Sequence, residues 1–145
     1  VAGARARRVP GLHLREVAHR HDLLTYAEVE PMLPVDRDLL MQIAEHASTV
    51  PGCILLLGEY RGQPAARAMA MVCDEVVGVY NVFVREQYRR RGLGWAVTSA
   101  AIDAGRRAGA SLACLQATDA GLALYTQMGF ETVYDLVTLD SPPIS

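Results

Sequence analysis

The sequence predicts a fold of the α/β (α+β) class, with six strand-like segments and about four helices. Two observations support this prediction. Three strand-like segments follow one another between residues 53 and 84 with short turns between them, which is typical of an antiparallel meander. Helical and strand-like segments then alternate towards the carboxyl end. With 145 residues, 51% of them hydrophobic, the chain can bury a core as a single domain over residues 1–145.

The first half of the chain contains one predicted strand and two predicted amphipathic helices. Leu12–Arg15 alternates apolar and polar residues, as an edge strand does. Asp22 is a favourable N-cap for a helix that has to end before Pro31. A second helix can begin at Pro34–Asp36, and its apolar residues recur on one face until Pro51–Gly52 ends it.

The meander consists of three apolar segments, Cys53–Tyr60, Ala65–Cys73 and Val76–Val84. The turns between them are Arg61–Gln63, which contains a glycine, and the acidic pair Asp74–Glu75. We expect the three strands to pair antiparallel in chain order.

One helix and one strand come directly after the meander. The helix begins at Gly92 and runs to about Ala108, where Gly109 is a natural C-terminal cap. The continuous apolar run Leu112–Ala117 then predicts a buried strand.

The carboxyl end contains a further helix and a final strand. Thr118 or Asp119 can cap this helix, which continues through Met128 and ends at Gly129. Tyr134–Leu139 alternates again and predicts the sixth strand.

Composition excludes several classes of function. The net charge of -2 and the pI near 6.1 give no general attraction to nucleic acid or to an anionic membrane. No apolar run reaches the length of a membrane span, and the arginines near the amino end are not followed by the apolar stretch of a signal peptide. We therefore expect a cytoplasmic protein that binds neither nucleic acid nor membrane.

The three cysteines do not suggest a metal site. Cys53, Cys73 and Cys114 lie in or beside apolar segments and lack the spacing of metal ligands. We expect all three to be buried, reduced thiols.

The segment Val76–Ala101 contains the strongest functional signal. An apolar strand passes through a basic, glycine-containing turn into a helix of small residues. The first N–H groups of such a helix have no intrahelical partner and lie at the positive end of the helix dipole, so the junction favours an anion. Gly92 and Gly94 have no Cβ, which lets a bulky anion approach the backbone. A glycine–arginine turn alone is usually only a turn, and Val97 stands where a dinucleotide fingerprint has its third glycine.

Two motifs resemble those of one protein family. The order Val84-x-x-x-x-Arg89-x-x-Gly92-x-Gly94 is similar to the acetyl-CoA-binding motif of the GNAT superfamily of N-acetyltransferases, which reads Gln or Arg, two residues, Gly, one residue, Gly or Ala. The block Ala123–Phe130 resembles the second landmark of that family, an Ala-Leu-Tyr helix that ends in Gly-Phe. The resemblance covers residues 76–130 well and the first half of the chain only by element order.

The resemblance implies a mixed, mostly antiparallel twisted sheet of six or seven strands, which is flanked by about four helices and splays between strands four and five. It implies an acetyl-CoA-dependent N-acetyltransferase that moves an acetyl group to a primary amine by direct attack, without a metal or a covalent enzyme intermediate. The turn would hold the pyrophosphate, the end of the fourth strand would pair with the pantetheine amides, and a residue after the fifth strand would reach towards that arm. The cofactor-binding residues implied in this way are Val82, Phe83, Val84, Arg89, Arg90, Arg91, Gly92, Leu93, Gly94, Trp95 and Thr118.

Tyr125 stands where the family has a tyrosine that hydrogen-bonds the thioester sulfur and protonates the departing CoA thiolate. Proton transfer from a phenol with a pKa near 10 to a thiolate with a pKa near 8.5 is uphill by about 2 kcal/mol, which local hydrogen bonds can offset. A tyrosine on an amphipathic helix is more often a packing residue, but the adjacent Gly129–Phe130 favours the catalytic interpretation.

The sequence leaves the general base and the acceptor open. An ammonium with a pKa near 10.4 loses its proton at pH 7 at a cost of roughly 4.6 kcal/mol, so a base or a water relay is useful. Tyr80 and Asn81 can face the acceptor, although Asn81 also fits a β-bulge. Glu59 can order a water but fits a solvated strand end better, and the four histidines are interpreted as surface residues. Small molecules, antibiotics, polyamines and protein amino termini all remain possible acceptors.

Departures from the family pattern support an alternative function. Many members have proline at the position of Glu86 and asparagine at that of Thr118, and the family has one more strand where this chain stops at Ser145. We expect Val1–Pro10, a partner subunit in a homodimer or a neighbouring domain to complete the sheet. The start at Val1 without methionine, and a resemblance of the Gly-Val-Tyr-Asn-Val wording to bacterial members with two such domains, favour a longer protein. The alternative is thus a degenerate CoA-binding domain with a structural or regulatory role in that larger protein.

Overall fold

A computed structural model of the chain describes residues 7–29, 37–137 and 139. It contains five strands and four helices in these residues, with one 3₁₀ turn, Glu86–Tyr88, before the third helix. In chain order the elements are β1 Leu12–Glu16, α1 Arg20–Val29, α2 Arg37–Thr49, β2 Cys53–Tyr60, β3 Gln63–Cys73, β4 Val76–Val84, α3 Leu93–Arg107, β5 Leu112–Leu115 and α4 Asp119–Gln127.

The strands form one mixed sheet in the order β1-β2-β3-β4-β5. The first three pairings are antiparallel, and β4 and β5 are parallel. The predicted α/β class, the meander and the edge position of the first strand are therefore confirmed. None of the described helices is both long and apolar enough to cross a lipid bilayer.

β4 carries a bulge near the point where it separates from β5. Its register to β3 shifts between the pairs Met69↔Tyr80 and Arg67↔Phe83, and Asn81 at the shift has a left-handed φ of 52°. The parallel pairing with β5 ends at Val79↔Leu115. The rest of β4 therefore continues with no strand on its outer side among the described residues, because β5 ends at Leu115. The splay of strands four and five stays a prediction.

α3 packs against one face of the sheet at short range. β3 presents alanines to it, and Gly105 of α3 lies so close to Val77 that a Cβ on Gly105 would be 2.5 Å from the Val77 Cβ. Leu93 and Val97 of α3 are fully buried in the same cluster, and each such side chain stabilises the fold by about 1.5–3 kcal/mol. The alanines of β3 and Gly105 of α3 thus let the helix pack close to the sheet.

α1 and α2 contribute to a second cluster on the opposite face, together with Leu55 of β2. Two arginines from the sheet fix the end of α1. Arg67 donates to the carbonyls of Tyr26 and Ala27 at 3.3 and 3.4 Å, and Arg85 donates to those of Glu28 and Val29 at 3.0 and 3.2 Å. The last carbonyls of a helix have no intrahelical donor, so these contacts cap α1 and hold it over the central strands.

Two predictions about the carboxyl end are wrong. Tyr134–Leu139 was expected to be the sixth strand, but residues 131–137 form no strand and Val133 and Val137 are 86% and 83% exposed. Alternation specifies which side chains share a face, whereas a strand also needs a partner. β5 ends at Leu115 rather than Ala117, and its residues are alternately exposed and half-buried because it is the outermost strand of the described sheet.

The prediction that all three cysteines are buried is wrong for two of them and only partly correct for the third. Cys73 and Cys114 are exposed because one ends β3 and the other lies on the outermost strand, and Cys53 is half-buried. All three are free thiols. Asp22 is also not an N-cap: α1 begins two residues earlier, and Asp22 forms an ion pair with Arg15 at 2.7 Å. The predicted start of α2 at Pro34–Asp36 lies outside the described residues.

Candidate active site

The turn between β4 and α3 leaves the start of the helix uncapped. Gly92 occupies the N-cap position in the left-handed region, with φ 82° and ψ 6°, and no described side chain caps the helix there. The helical ladder begins with the Ala96 N–H donating to the Gly92 carbonyl at 3.1 Å. The preceding amides are directed away from the helix with the positive end of its dipole behind them, so the turn has the geometry of an anion site.

The three consecutive arginines before Gly92 are placed differently. Arg89 turns back, since its Nε donates to the Val84 carbonyl at 3.1 Å and its guanidinium lies 5.6 Å from the Phe83 ring centroid. Arg90 is exposed and has a left-handed φ of 62°. Arg91 is exposed, with its guanidinium 5.8 Å from the centroid of the Tyr60 ring. Arg89 therefore stabilises the strand end, while the other two extend positive charge over the turn.

Gly94 marks the place where three elements meet. A Cβ at this position would lie 3.3 Å from Leu124 Cδ2 of α4 and 3.9 Å from Val84 Cγ2 of β4. Leu93, beside it, is 1% exposed and anchors the start of α3, and Trp95 is 9% exposed. The first turn of α3, the end of β4 and α4 therefore meet at Gly94.

The end of β4 beside Gly94 consists of half-buried residues. Val82, Phe83 and Val84 lie beyond the last residue of β4 that pairs with β5. Their peptide groups on the outer side have no strand partner among the described residues, although the Val84 carbonyl accepts a hydrogen bond from Arg89 Nε. An extended, peptide-like ligand can therefore hydrogen-bond there as an added strand.

Tyr125 lies on α4 with its side chain 9% exposed. Thr118 is the N-cap of this helix, and its Oγ1 accepts from the Gly121 N–H at 3.3 Å. Gly121 gives the tyrosine ring room, because a Cβ there would be 2.9 Å from Tyr125 Cε2. The ring also meets Phe130 edge to face, with centroids 6.1 Å apart. The tyrosine ring is thus held in one orientation by Gly121 of its own helix and by Phe130, which comes after the helix.

The Tyr125 hydroxyl is perturbed by its surroundings. Burial raises its pKa above the ordinary value, and the neighbouring Thr98 hydroxyl lowers it in part. Thr98 Oγ1 is buried without a hydrogen-bond partner of good geometry in the described residues, so the two hydroxyls are neighbours rather than a well-formed pair. Tyr125 is therefore protonated at neutral pH and able to donate.

The three predicted base candidates are separated in the structure. Glu59 forms an ion pair with Arg15 at 3.4 Å on the β1 side of the sheet, away from β4. Tyr80 is 40% exposed and lies across Gly78. Asn81 lies in the bulge. Only Tyr80 and Asn81 of the three belong to β4, the strand whose end lies beside Gly94.

A buried polar group that the sequence prediction missed lies next to the bulge. The Tyr26 ring is 5.3 Å from the Arg67 guanidinium, and its buried hydroxyl faces Asn81 without a well-formed hydrogen bond. Burial raises the pKa of Tyr26 to about 12, although Arg67 and Asn81 lower it in part. The only signal in the sequence was a charged residue, Arg67, inside the apolar run of β3.

The sequence matches the model of one protein family. The model of the acetyltransferase (GNAT) family matches residues 16–130. The chain belongs to the GNAT family. The match includes the turn, the end of β4 and α4, and so covers both motifs on which the resemblance was based. A comparison with curated proteins gives no significant match.

Solved structures of acetyltransferases have the same fold. An acetyltransferase from Trypanosoma brucei is 22% identical with a TM-score of 0.74, covering 90% of this chain and 99% of its own. The aminoglycoside antibiotic 6′-N-acetyltransferase from Acinetobacter baumannii is 17% identical with a TM-score of 0.75, covering 92% and 99%. A predicted acetyltransferase from Clostridium acetobutylicum, solved with acetyl-CoA, is 15% identical with a TM-score of 0.70, covering 89% and 96%. At these identities the likeness concerns the fold.

Proposed function

We propose that this protein transfers an acetyl group from acetyl-CoA to a primary amine, with Tyr125 as the general acid. The observation that carries the proposal is that three elements meet at Gly94: the uncapped start of α3, the end of β4 and the helix of Tyr125. The start of α3 suits an anion, the outer edge of β4 suits a peptide-like arm, and the Tyr125 hydroxyl suits a leaving thiolate. The binding of acetyl-CoA to a GNAT neighbour of the same fold supports the choice of cosubstrate.

The residues of the turn bind and orient the cosubstrate. The first amides of α3 donate to the pyrophosphate, Arg90 adds charge-assisted hydrogen bonds to it, and Arg91 adds positive charge beside the turn. Glycine at position 94 fits this role, because a Cβ there would lie 3.3 Å from Leu124 Cδ2 and a larger side chain would push against α4. Acetyl-CoA, when bound, supplies the thioester carbonyl that the amine attacks.

The end of β4 and α4 then place the reacting atoms. The peptide groups of Val82–Val84 pair with the amides of the pantetheine arm, which directs the thioester towards the bulge at Asn81. The amine nitrogen bonds to the thioester carbonyl carbon, the carbon–sulfur bond breaks, and Tyr125 donates its hydroxyl proton to the departing thiolate. The proton that the amine loses passes to solvent, from which the tyrosine regains its own. Burial raises the pKa of Tyr125, which keeps it protonated at neutral pH but makes this transfer more uphill than transfer from an unperturbed phenol.

The acceptor enters from the face covered by α1 and α2. A groove of about 490 Å³ lies between α2 and the sheet and is lined mainly by apolar side chains, among them Leu39, Ile43, Met69 and Met71. No acidic residue is among the lining residues that the structure describes. This lining favours an amine on an apolar group over a polycation, so hexylamine should be a better acceptor than spermidine.

The test is amine-dependent release of the CoA thiol over a panel of monoamines, polyamines and peptides, with the acetylated product identified by mass spectrometry. The proposal predicts release that requires both acetyl-CoA and an amine, and its loss in Tyr125→Phe. Release in that variant at the wild-type rate would remove Tyr125 from the mechanism.

The alternative is a domain that binds CoA without transferring the acetyl group. It is favoured by two observations: Thr118, which replaces the family's asparagine, is occupied in capping α4, and Tyr125 is largely buried. Saturable binding of acetyl-CoA without thiol release for any amine in the panel supports this alternative.

A further inference from the structure

A surface of exposed arginines lies beside the turn. It is formed by Arg7, Arg8, Arg61, Arg90 and Arg91, from the amino-terminal segment, the β2–β3 hairpin and the turn itself. None of the five forms an ion pair within residues 7–29, 37–137 and 139. In a chain with a net charge of -2 this arginine surface is a local concentration of uncompensated positive charge.

Two of these arginines share one aromatic ring. The guanidinium of Arg61 lies 5.3 Å and that of Arg91 5.8 Å from the centroid of Tyr60. Tyr60 is buried and also contacts Tyr88 of the turn, with ring centroids 5.7 Å apart. Contact with a ring face restrains a guanidinium while leaving its N–H edges available to an anion.

The hairpin is fixed next to the turn by the amino-terminal segment. The Arg61 N–H donates to the Gly11 carbonyl at 2.8 Å, and a Cβ on Gly92 would lie 3.5 Å from Val9 Cγ2. Residues 9–11 therefore contact both the hairpin and the N-cap of α3. The position of Arg61 relative to the anion site is thus set by packing.

Arg61 occupies a backbone conformation that arginine does not favour. Tyr60 pairs with Gln63, so Arg61 and Gly62 form a two-residue hairpin loop, and both have positive φ, 51° and 78°. Such loops favour Asn-Gly or Asp-Gly, since a left-handed φ is unfavourable for a long side chain. An arginine at this strained position points to a role for its charge rather than for the turn.

We propose that Arg61 and Arg91 bind the 3′-phosphate of CoA. This inference rests on the proposed function, which places the pyrophosphate at the start of α3. The ribose joins the pyrophosphate to the 3′-phosphate, so the second anion lies one sugar ring away from the first. A phosphate monoester carries nearly two charges at pH 7 and presents the oxygens that a guanidinium edge binds bidentately. Arg61 and Arg91, which both contact Tyr60, are the exposed cations next to the turn on the side of the β2–β3 hairpin.

The experiment compares CoA with 3′-dephospho-CoA by calorimetry in wild type and in Arg61→Asn. Asparagine suits the left-handed position, so this variant should be at least as stable as wild type. Wild type should bind CoA on the order of tenfold more tightly than 3′-dephospho-CoA. In Arg61→Asn the ratio should fall to about threefold or less, with the affinity for 3′-dephospho-CoA unchanged.

Two controls make the result specific. Arg106→Gln removes an exposed arginine at the far end of α3, where it pairs with Asp103, and should leave the ratio unchanged. Arg61→Lys keeps the charge but loses the bidentate edge, so its ratio should lie between those of wild type and Arg61→Asn.

Each other outcome overturns the inference in a different way. Equal loss of affinity for both ligands in Arg61→Asn would assign Arg61 to the pyrophosphate or to general attraction. Equal binding of both ligands by wild type would overturn the 3′-phosphate site and leave the proposed function intact. Binding of neither ligand would overturn both.

Discussion

Replacing Gly92 by alanine separates the conformation of the turn from its packing. A Cβ at this position would lie 3.5 Å from Val9 Cγ2, an ordinary contact, so the substitution introduces no clash. The cost comes from the backbone, because φ 82° is a left-handed conformation that costs an L-residue about 1–2 kcal/mol. The melting temperature should therefore fall by a few degrees.

The effect on ligand binding should exceed what the stability change explains. A backbone that relaxes out of the left-handed region turns the first amides of α3 away from a common point. We expect the affinity for acetyl-CoA, measured by calorimetry at a temperature where the variant is folded, to fall by about tenfold, or 1.4 kcal/mol. A variant with equal backbone strain elsewhere in the chain should keep the wild-type affinity for acetyl-CoA.

Gly109→Ala is the matched control. Gly109 follows the other end of α3 with φ 103°, and a Cβ added there would meet no atom within 4 Å, so its substitution is also strained without a clash. It should lower the melting temperature similarly and leave the affinity for acetyl-CoA unchanged. Wild-type affinity in a folded Gly92→Ala variant, or an equal loss in Gly109→Ala, would refute the assignment of the anion to this turn.

Three further predictions concern catalysis, pH and packing. Tyr125→Phe should lower kcat by about 10²–10⁴-fold with little change in the Kd of acetyl-CoA, and a kcat within a factor of about two of wild type would contradict the general-acid role. Between pH 10 and about 12, Tyr26 loses its proton in the unfolded chain but keeps it in the folded protein. The free energy of unfolding should therefore fall with rising pH, by up to about 3 kcal/mol. Denaturant titrations of Tyr26→Phe should lack this part of the fall. Gly105→Ala should destabilise by about 1–3 kcal/mol in the same titrations because its Cβ would overlap the Val77 side chain, and a stabilised variant would show that α3 can move away.

The sequence predicted those parts of the fold that local chemistry determines. The bounds of β2 and β4 match the prediction because Pro51–Gly52, Arg61–Gly62 and Asp74–Glu75 interrupt the apolar runs. Thr118 was predicted as a possible N-cap and accepts a hydrogen bond in that role. The bulge at Asn81 was also foreseen, since asparagine tolerates a left-handed φ.

The errors arise where structure depends on distant partners. The apolar alternation of residues 134–139 carries no information about which strand would pair with it. Cys114 lies in an apolar run, but it is exposed because β5 is the outermost strand of the described sheet. The contacts of Arg67 with the end of α1 and of Arg91 with Tyr60 join elements far apart in the chain, so no local pattern indicates them.

The candidate site was predicted from two sequence motifs, and the structure adds the contacts of individual residues within them. The resemblance located the turn and Tyr125 but gave all three arginines one role, whereas Arg89 is bound to the Val84 carbonyl. It also did not indicate that Gly94 separates α4 from β4, since that depends on how α4 packs.

The most direct measurement of the central claim is amide hydrogen exchange with and without acetyl-CoA. The account predicts slower exchange at residues 80–84 of β4 and 90–95 of the turn when the ligand is added, with Gly109 and the β1–β2 pairing unaffected. Protection confined to the groove between α2 and the sheet, or no protection at a saturating concentration, would contradict the placement of the cosubstrate and with it the proposed chemistry.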